Sequence, residues 1–131
     1  MFKSSGVLVY DPHYNGQNDV KPFWLMLSCD EELTRYYAWL LFKERCVKLN
    51  QKCLWGTHIS VVRGEKPNDG WWGKQGVGET IEFEYDGIVH GDGTYFWMDV
   101  KCPRLSEIRT YYGLTPKPWI DFHLTVGNIR Q

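Results

Sequence analysis

The sequence predicts one α+β domain over residues 1–131, and three observations lead to this fold class. Short strand-like runs alternate with helical stretches along the chain. A helix followed by a strand occurs twice, and the two strands carry similar segments, Thr57–Val61 and Phe122–Val126. A length of 131 residues with 43% hydrophobic content suits a single core.

The best-defined element is an amphipathic helix over residues 31–47. Asp30 suits its N-cap, and Glu31 and Glu32 favour the positive end of the helix dipole. Apolar residues recur at helical spacing at Leu33, Tyr36, Tyr37, Leu40, Leu41 and Val47. The other predicted elements are strands at 6–10, 22–29, 54–63, 80–85, 88–90, 94–100 and 119–126, a loop at 64–76 and a short helix at 103–113.

Charge and composition exclude several functional classes. The net charge of -1 provides no basic field for long duplex nucleic acid. No apolar run is long enough to span a membrane, and the segment before the first strand is too short for a signal peptide. We therefore expect a cytoplasmic protein with reduced thiols. Its four cysteines lack the C-x-x-C spacing of zinc and redox motifs, namely Cys29, Cys46, Cys53 and Cys102.

Each of the two similar segments reads His, aliphatic, hydroxyl, Val. Because side chains alternate faces along a strand, His58 and Ser60 share one face, opposite the aliphatic residue between them. His123 and Thr125 share a face in the same way. If the fold brings these two polar faces together, it creates a site with two imidazoles and two hydroxyls.

This set of side chains suits phosphodiester cleavage. One neutral imidazole can act as general base while a second, protonated imidazole acts as general acid. The hydroxyls of Ser60 and Thr125 can donate to the non-bridging phosphate oxygens, where negative charge grows. We therefore predict His58 and His123 as catalytic residues, without a metal or cofactor, although the sequence does not assign the acid and the base. His13 and His90 lack a hydroxyl residue two positions on and are predicted to be non-catalytic.

The paired motifs His58-Ile59-Ser60-Val61 and His123-Leu124-Thr125-Val126 resemble those of the 2H phosphoesterase superfamily. Ser60 departs conservatively from the more common Thr. The resemblance implies two pseudosymmetric lobes of antiparallel sheet, with helices outside and both motifs in a central cleft. It also implies action on cyclic nucleotides, cyclic oligonucleotides, 2′-5′ linkages or the 2′,3′-cyclic phosphates of RNA ends. In size and motif spacing the chain resembles the phage enzymes that degrade the messengers of bacterial CBASS immunity.

Several residues are weaker candidates for contact with a substrate. Tyr10 is a candidate for the cleft, and Trp71 and Trp72 either stack on a nucleobase or cover the core as a lid. Lys74 could approach a phosphate from the loop. On strict alternation, Arg63 points away from His58 and is left out of the site.

Two non-enzymatic interpretations remain open at this stage. The chain could be a binding module that holds a nucleotide without turnover, or a structural protein in which the two histidines are incidental. Under the enzymatic interpretation, a small cyclic nucleotide or an RNA end is the expected substrate, and no membrane partner is expected. The sequence gives no indication of the oligomeric state.

Overall fold

A computed structural model describes residues 1–12, 23–50, 56–68 and 72–129. The strands are β1 (Phe2–Tyr10), β2 (Trp24–Cys29), β3 (His58–Arg63), β4 (Thr80–Tyr85), β5 (His90–Gly91), β6 (Tyr95–Lys101) and β7 (His123–Asn128). The helices are α1 (Glu31–Arg45) and α2 (Pro103–Tyr111). The predicted α+β class is confirmed.

The seven strands form one antiparallel sheet that closes on itself. Their order is β4-β1-β2-β3-β7-β6-β5, and β4 also pairs with β6 through Glu84↔Lys101 and Tyr85↔Val100. The closure brings the two motif strands, β3 and β7, side by side.

Capping interactions at its two ends determine where helix α1 begins and ends. The Asp30 carboxylate accepts a hydrogen bond from the backbone N–H of Glu32 at 2.9 Å, as predicted for the N-cap. The helix ends two residues before the predicted boundary, because Cys46 adopts the left-handed conformation (φ 56°) and closes the last turn onto Phe42. Tyr37 and Leu41 are its buried residues.

The core lies on the face of the motif strands that is opposite to the histidines. Ile59 on β3 and Leu124 on β7 are both fully buried there, together with Leu105 and Ile108 of α2. Full burial of an aliphatic side chain contributes about 1.5–3 kcal/mol. Each motif strand is therefore anchored by its apolar face and presents its polar face away from the core.

The three cysteines that the structure describes are free thiols. Cys29 and Cys102 are buried and Cys46 is exposed, while Cys53 lies outside the described residues. Burial, and to a smaller extent the neighbouring Cys102, raises the pKa of Cys29 to about 12, so this thiol stays protonated.

No helix within the described residues is long and apolar enough to cross a membrane.

Candidate functional site

The structure places the two histidine motifs on neighbouring antiparallel strands. Ile59 on β3 and Leu124 on β7 are direct cross-strand partners. Continuing this register by one residue in each direction sets His58 opposite Thr125 and Ser60 opposite His123. Directly opposed residues share a face, and diagonal neighbours lie roughly 7–8 Å apart. All four predicted side chains therefore project from one patch of the sheet.

Both imidazoles are held in the same way by the backbone. Nδ1 of His58 is 2.9 Å from the carbonyl oxygen of Gly56, and Nδ1 of His123 is 2.8 Å from that of Asp121. A carbonyl only accepts hydrogen bonds, so each Nδ1 carries a proton and donates. In the neutral ring this leaves the lone pair on Nε2, which is therefore the atom available to accept a proton.

His58 favours the neutral form. Burial is the largest cause and lowers its pKa, and the positive charges of Arg63 and His123 lower it further, against an opposing contribution from the Gly56 hydrogen bond. A neutral imidazole with its Nδ1 proton engaged is equipped to accept a proton at Nε2.

Each motif strand contains a β-bulge at the Val that ends its motif. On β3, Ser60 pairs with Met26 and Val62 pairs with Leu25, so Val61 is the extra residue. On β7, Thr125 pairs with Trp97 and Gly127 pairs with Phe96, so Val126 is the extra residue. A bulge resets the alternation of faces beyond it.

The bulge on β3 contradicts the sequence-based placement of Arg63. Arg63 pairs with Trp24, and His58 pairs with Ser28, and these two partners lie four residues apart on one face of β2. Arg63 therefore shares the face of His58. Its guanidinium carbon lies 5.1 Å from the centre of the Trp24 ring, which in turn lies 6.0 Å from the centre of the His58 ring.

A cavity of about 310 Å³ adjoins the second motif. Its lining combines the motif residues His123 and Thr125 with aromatic and acidic neighbours. Those neighbours include Tyr95, Trp97, Asp92, Asp99 and Asp121. Trp97 and Asp99 are the β6 partners of Thr125 and His123, so the sheet itself brings them to the cavity.

Tyr10 and Trp72 lie in an aromatic cluster with Tyr112, away from the motif face. Tyr10 pairs with Leu25, which faces the core. Its hydroxyl is bonded to the Gln75 carbonyl at 2.6 Å and to the Tyr112 hydroxyl at 2.8 Å. The Trp72 ring lies 5.0 Å from both tyrosine rings, measured between centres. We therefore leave Tyr10 and Trp72 out of the site, while Trp71 lies outside the described residues.

Among the residues that the structure describes, one group of side chains has ligand atoms close enough together for a metal ion. It consists of Asp86, His90 and Asp99, whose ligand atoms lie within 4.8 Å of one another. These groups already satisfy each other: Nε2 of His90 lies 2.6 Å from Asp86 Oδ2 and 3.3 Å from Asp99 Oδ2. These contacts between the imidazole and the two carboxylates account for the arrangement without an ion, and we assign it no metal.

The paired histidine–hydroxyl motifs on neighbouring strands resemble those of two-histidine phosphoesterases. Residues 74–131 match the family model of the Swiss Army Knife 2H phosphoesterase domain (2H-SAK). The match covers somewhat less than half of the chain and contains His123 and Thr125, whereas His58 and Ser60 lie before it. It confirms the predicted resemblance to the 2H phosphoesterase superfamily and indicates a phosphoesterase hydrolase. Comparisons with curated proteins and with solved structures give no match.

Proposed function

We propose that the protein is a phosphodiesterase that cleaves a small cyclic nucleotide or cyclic oligonucleotide by two-histidine acid–base catalysis. The observation that carries this proposal is the Ile59↔Leu124 pairing, which gathers His58, Ser60, His123 and Thr125 on one face. The repeated unit of strand, helix and motif strand further supports a cleft built from two related halves.

The proposed mechanism assigns His58 as the general base. Its neutral state and its Nδ1–H bond to Gly56 present the Nε2 lone pair to water or a ribose hydroxyl. His123 then acts as general acid and gives a proton from Nε2 to the leaving oxygen. The scissile bond breaks as the new P–O bond forms, and water later restores the two protonation states.

Ser60 and Thr125 are the proposed donors to the non-bridging oxygens. Each lies two residues after its histidine and diagonally across from the other, so the two hydroxyls approach the phosphate from both strands. Hydrogen bonds aimed at the growing charge are worth more in the transition state than in the ground state, which accelerates the reaction.

The cavity beside His123 supports a nucleotide rather than an unrelated phosphoester. Its volume of about 310 Å³ is at the lower end of the usual range for ligand sites. The Trp97 and Tyr95 rings offer stacking surfaces, and the surrounding carboxylates can accept hydrogen bonds from the amino groups of a base. We place the nucleoside of the leaving group here.

A physiological role follows from the substrate class. We propose degradation of the cyclic oligonucleotide messengers of bacterial CBASS immunity, on the strength of the chain's resemblance to such enzymes in size and motif spacing. Cleavage of 2′,3′-cyclic phosphates at RNA ends is the alternative activity of the same site.

A substrate screen tests this proposal. The purified protein is incubated, with and without EDTA, with 2′,3′-cyclic mononucleotides, cyclic di- and trinucleotides, and an RNA oligonucleotide ending in a 2′,3′-cyclic phosphate. Mass spectrometry should detect turnover of at least one substrate class, unchanged by the chelator. Loss of turnover in EDTA contradicts metal-independent catalysis, and recovery of every ligand intact supports a binding module instead.

A further inference from the structure

We propose that Arg63 binds phosphate oxygens of the substrate on the His58 side of the site, placed there by the β-bulge at Val61. This inference rests on the proposed phosphodiesterase function and adds to it a cationic phosphate contact. It also gives the substrate a direction across the two histidines.

The bulge is what brings Arg63 to the site. Without it, a residue five positions after His58 would project from the opposite, core-facing side of the strand. With Val61 as the extra residue, Arg63 instead pairs with Trp24 on the motif face. Arg63 is exposed, so its guanidinium is accessible to a ligand.

Trp24 holds the guanidinium in a defined place. Its ring is buried, at 4% exposure, and is close to both side chains, with its centre 5.1 Å from the Arg63 guanidinium carbon and 6.0 Å from the centre of the His58 imidazole. Cation–π contact at this distance restricts a long side chain that would otherwise move freely. A planar guanidinium fixed in this way presents paired N–H donors, which match two oxygens of a phosphate.

Arg109 fixes the backbone on both sides of Arg63. This fully buried side chain donates from Nη1 to the carbonyl oxygen of Val61 at 2.8 Å and so gives the bulged residue a hydrogen-bond partner. It also forms a two-pronged ion pair with Glu65, with both N–O distances at 2.7 Å. The residues two before and two after Arg63 are therefore bonded to the same side chain, and Arg109 is a positioning residue.

The second motif strand has a different residue at the position that corresponds to Arg63. The bulge at Val126 places Asn128 opposite Tyr95 on the motif face, five residues after His123, just as Arg63 lies five residues after His58. Asn128 therefore has a neutral amide at the position where β3 has the positively charged Arg63.

The charge near the two histidines differs accordingly. The cavity beside His123 is lined by Asp92, Asp99 and Asp121, which repel a phosphate, whereas Arg63 attracts one. The phosphate is therefore drawn toward His58, and the leaving nucleoside lies toward His123. This direction agrees with His58 as base and His123 as acid.

The test compares Arg63→Gln with a matched control, Arg35→Gln, which removes the same charge from α1, where Arg35 pairs with Glu32. Steady-state kinetics are measured on a 2′,3′-cyclic mononucleotide, with one phosphate, and on a cyclic dinucleotide, with two. Loss of a charged, two-pronged contact lowers kcat/KM by roughly 10- to 100-fold. Arg63→Lys keeps the positive charge but lacks the paired N–H donors of the guanidinium. This variant should therefore recover part of the lost kcat/KM.

The comparison of the two substrates shows which phosphate Arg63 contacts. An equal loss on both shows that Arg63 holds the phosphate being cleaved, and a loss confined to the dinucleotide shows that it holds a neighbouring phosphate. In either case the acidic limb of kcat/KM against pH should also move upward in Arg63→Gln. A kcat/KM within twofold of the Arg35→Gln control on both substrates overturns the inference while leaving the proposed function intact.

A binding measurement covers the case in which the wild-type protein turns over neither substrate. Calorimetry with nucleoside 2′- and 3′-monophosphates then gives Kd for the wild type, Arg63→Gln and Arg63→Lys. Weaker binding by Arg63→Gln supports the phosphate contact even though the proposed catalysis has failed. Equal Kd values, or no binding by the wild type, overturn it. A circular-dichroism melt of each variant verifies that it is folded.

Discussion

Ile59 and Leu124 face each other across β3 and β7, and neither side chain has any exposed surface. This pair sets the register of the two motif strands from the core side. A slip of one residue would turn the polar set of one strand into the core. The geometry of the proposed catalytic site therefore depends on two aliphatic residues on the opposite, core-facing side of the sheet.

We expect Ile59→Ala to lower the free energy of unfolding by about 2–5 kcal/mol, because it leaves a cavity in a closely packed core. The conservative Ile59→Val should cost only about 0.5–1.5 kcal/mol. Urea denaturation followed by fluorescence measures both. A loss below 1 kcal/mol for the alanine variant would show that this pair does not determine the packing between the strands.

Replacement of either of the two proposed catalytic histidines should nearly abolish activity. We expect His58→Ala and His123→Ala each to lower kcat by about 10²–10⁴-fold, the usual contribution of a positioned acid or base. His90→Gln is the matched control, because His90 is bonded to Asp86 and Asp99 and has no proposed role in proton transfer. Activity close to the wild-type level in either alanine variant would exclude two-histidine catalysis.

The activity should decline on the acidic side at a pH below the usual pKa of histidine. Burial first, and then the charges of Arg63 and His123, lower the pKa of His58 from 6.5. The base is therefore still neutral at pH 6.5 and becomes protonated, and inactive, at a lower pH. A profile of kcat/KM against pH measures this limb, and a limb above 6.5 would contradict the assignment of His58 as base.

We expect the free energy of unfolding to decrease in acid, because Glu65 becomes protonated. The hydrogen bond from Arg109 is the main cause that lowers the pKa of this carboxyl from 4.5. Its contribution to stability is complete above pH 4.5 and is lost as the pH falls through the lower folded value. Because 37% of the Glu65 side chain is exposed, solvent screening keeps this contribution to about 1 kcal/mol.

Urea denaturation at pH 7 and at pH 3 measures this contribution, with Glu65→Gln as the comparison. The variant should be less stable than the wild type at neutral pH, and the difference should shrink in acid. A difference that does not depend on pH would show that the charge of Glu65 has no part in it.

Tyr10 should prove structural. Tyr10→Phe removes a hydroxyl that bonds the Gln75 carbonyl and the Tyr112 hydroxyl, and we expect a loss of about 0.5–1.5 kcal/mol in stability. Because Tyr10 lies on the core side of the sheet, KM for every substrate should be unchanged. A raised KM with unchanged stability would instead favour the contact with a substrate in the cleft for which the sequence made Tyr10 a candidate.

The sequence predicts what depends on local patterning. Strand alternation and helix capping located β4, whose boundaries agree with the predicted 80–85, and the start of α1 after Asp30. The repeated motif singled out His58 and His123 because an imidazole and a hydroxyl at a spacing of two share one face of any regular strand.

The sequence does not predict features that depend on pairing between strands. The bulge at Val61 results from the way β3 pairs with β2, and the run Ser60-Val61-Val62-Arg63 contains no sequence signal that predicts it. Arg63 was misplaced for this reason. Asp99 and Trp97 likewise reach the second motif only through the register of β6 against β7, which neither strand encodes alone.

Closure of the sheet has a consequence for how the protein behaves at high concentration. Unpaired strand edges are where chains join into fibres. Here β1, β2, β3 and β7 each have neighbours on both sides, and β4 and β6 are joined at one end. Within the described part of the chain, the remaining margins are β5, which is only two residues long, and the part of β4 that precedes Glu84. The hydrogen-bonded ring that aligns the two histidines therefore also protects the folded protein against edge-to-edge aggregation.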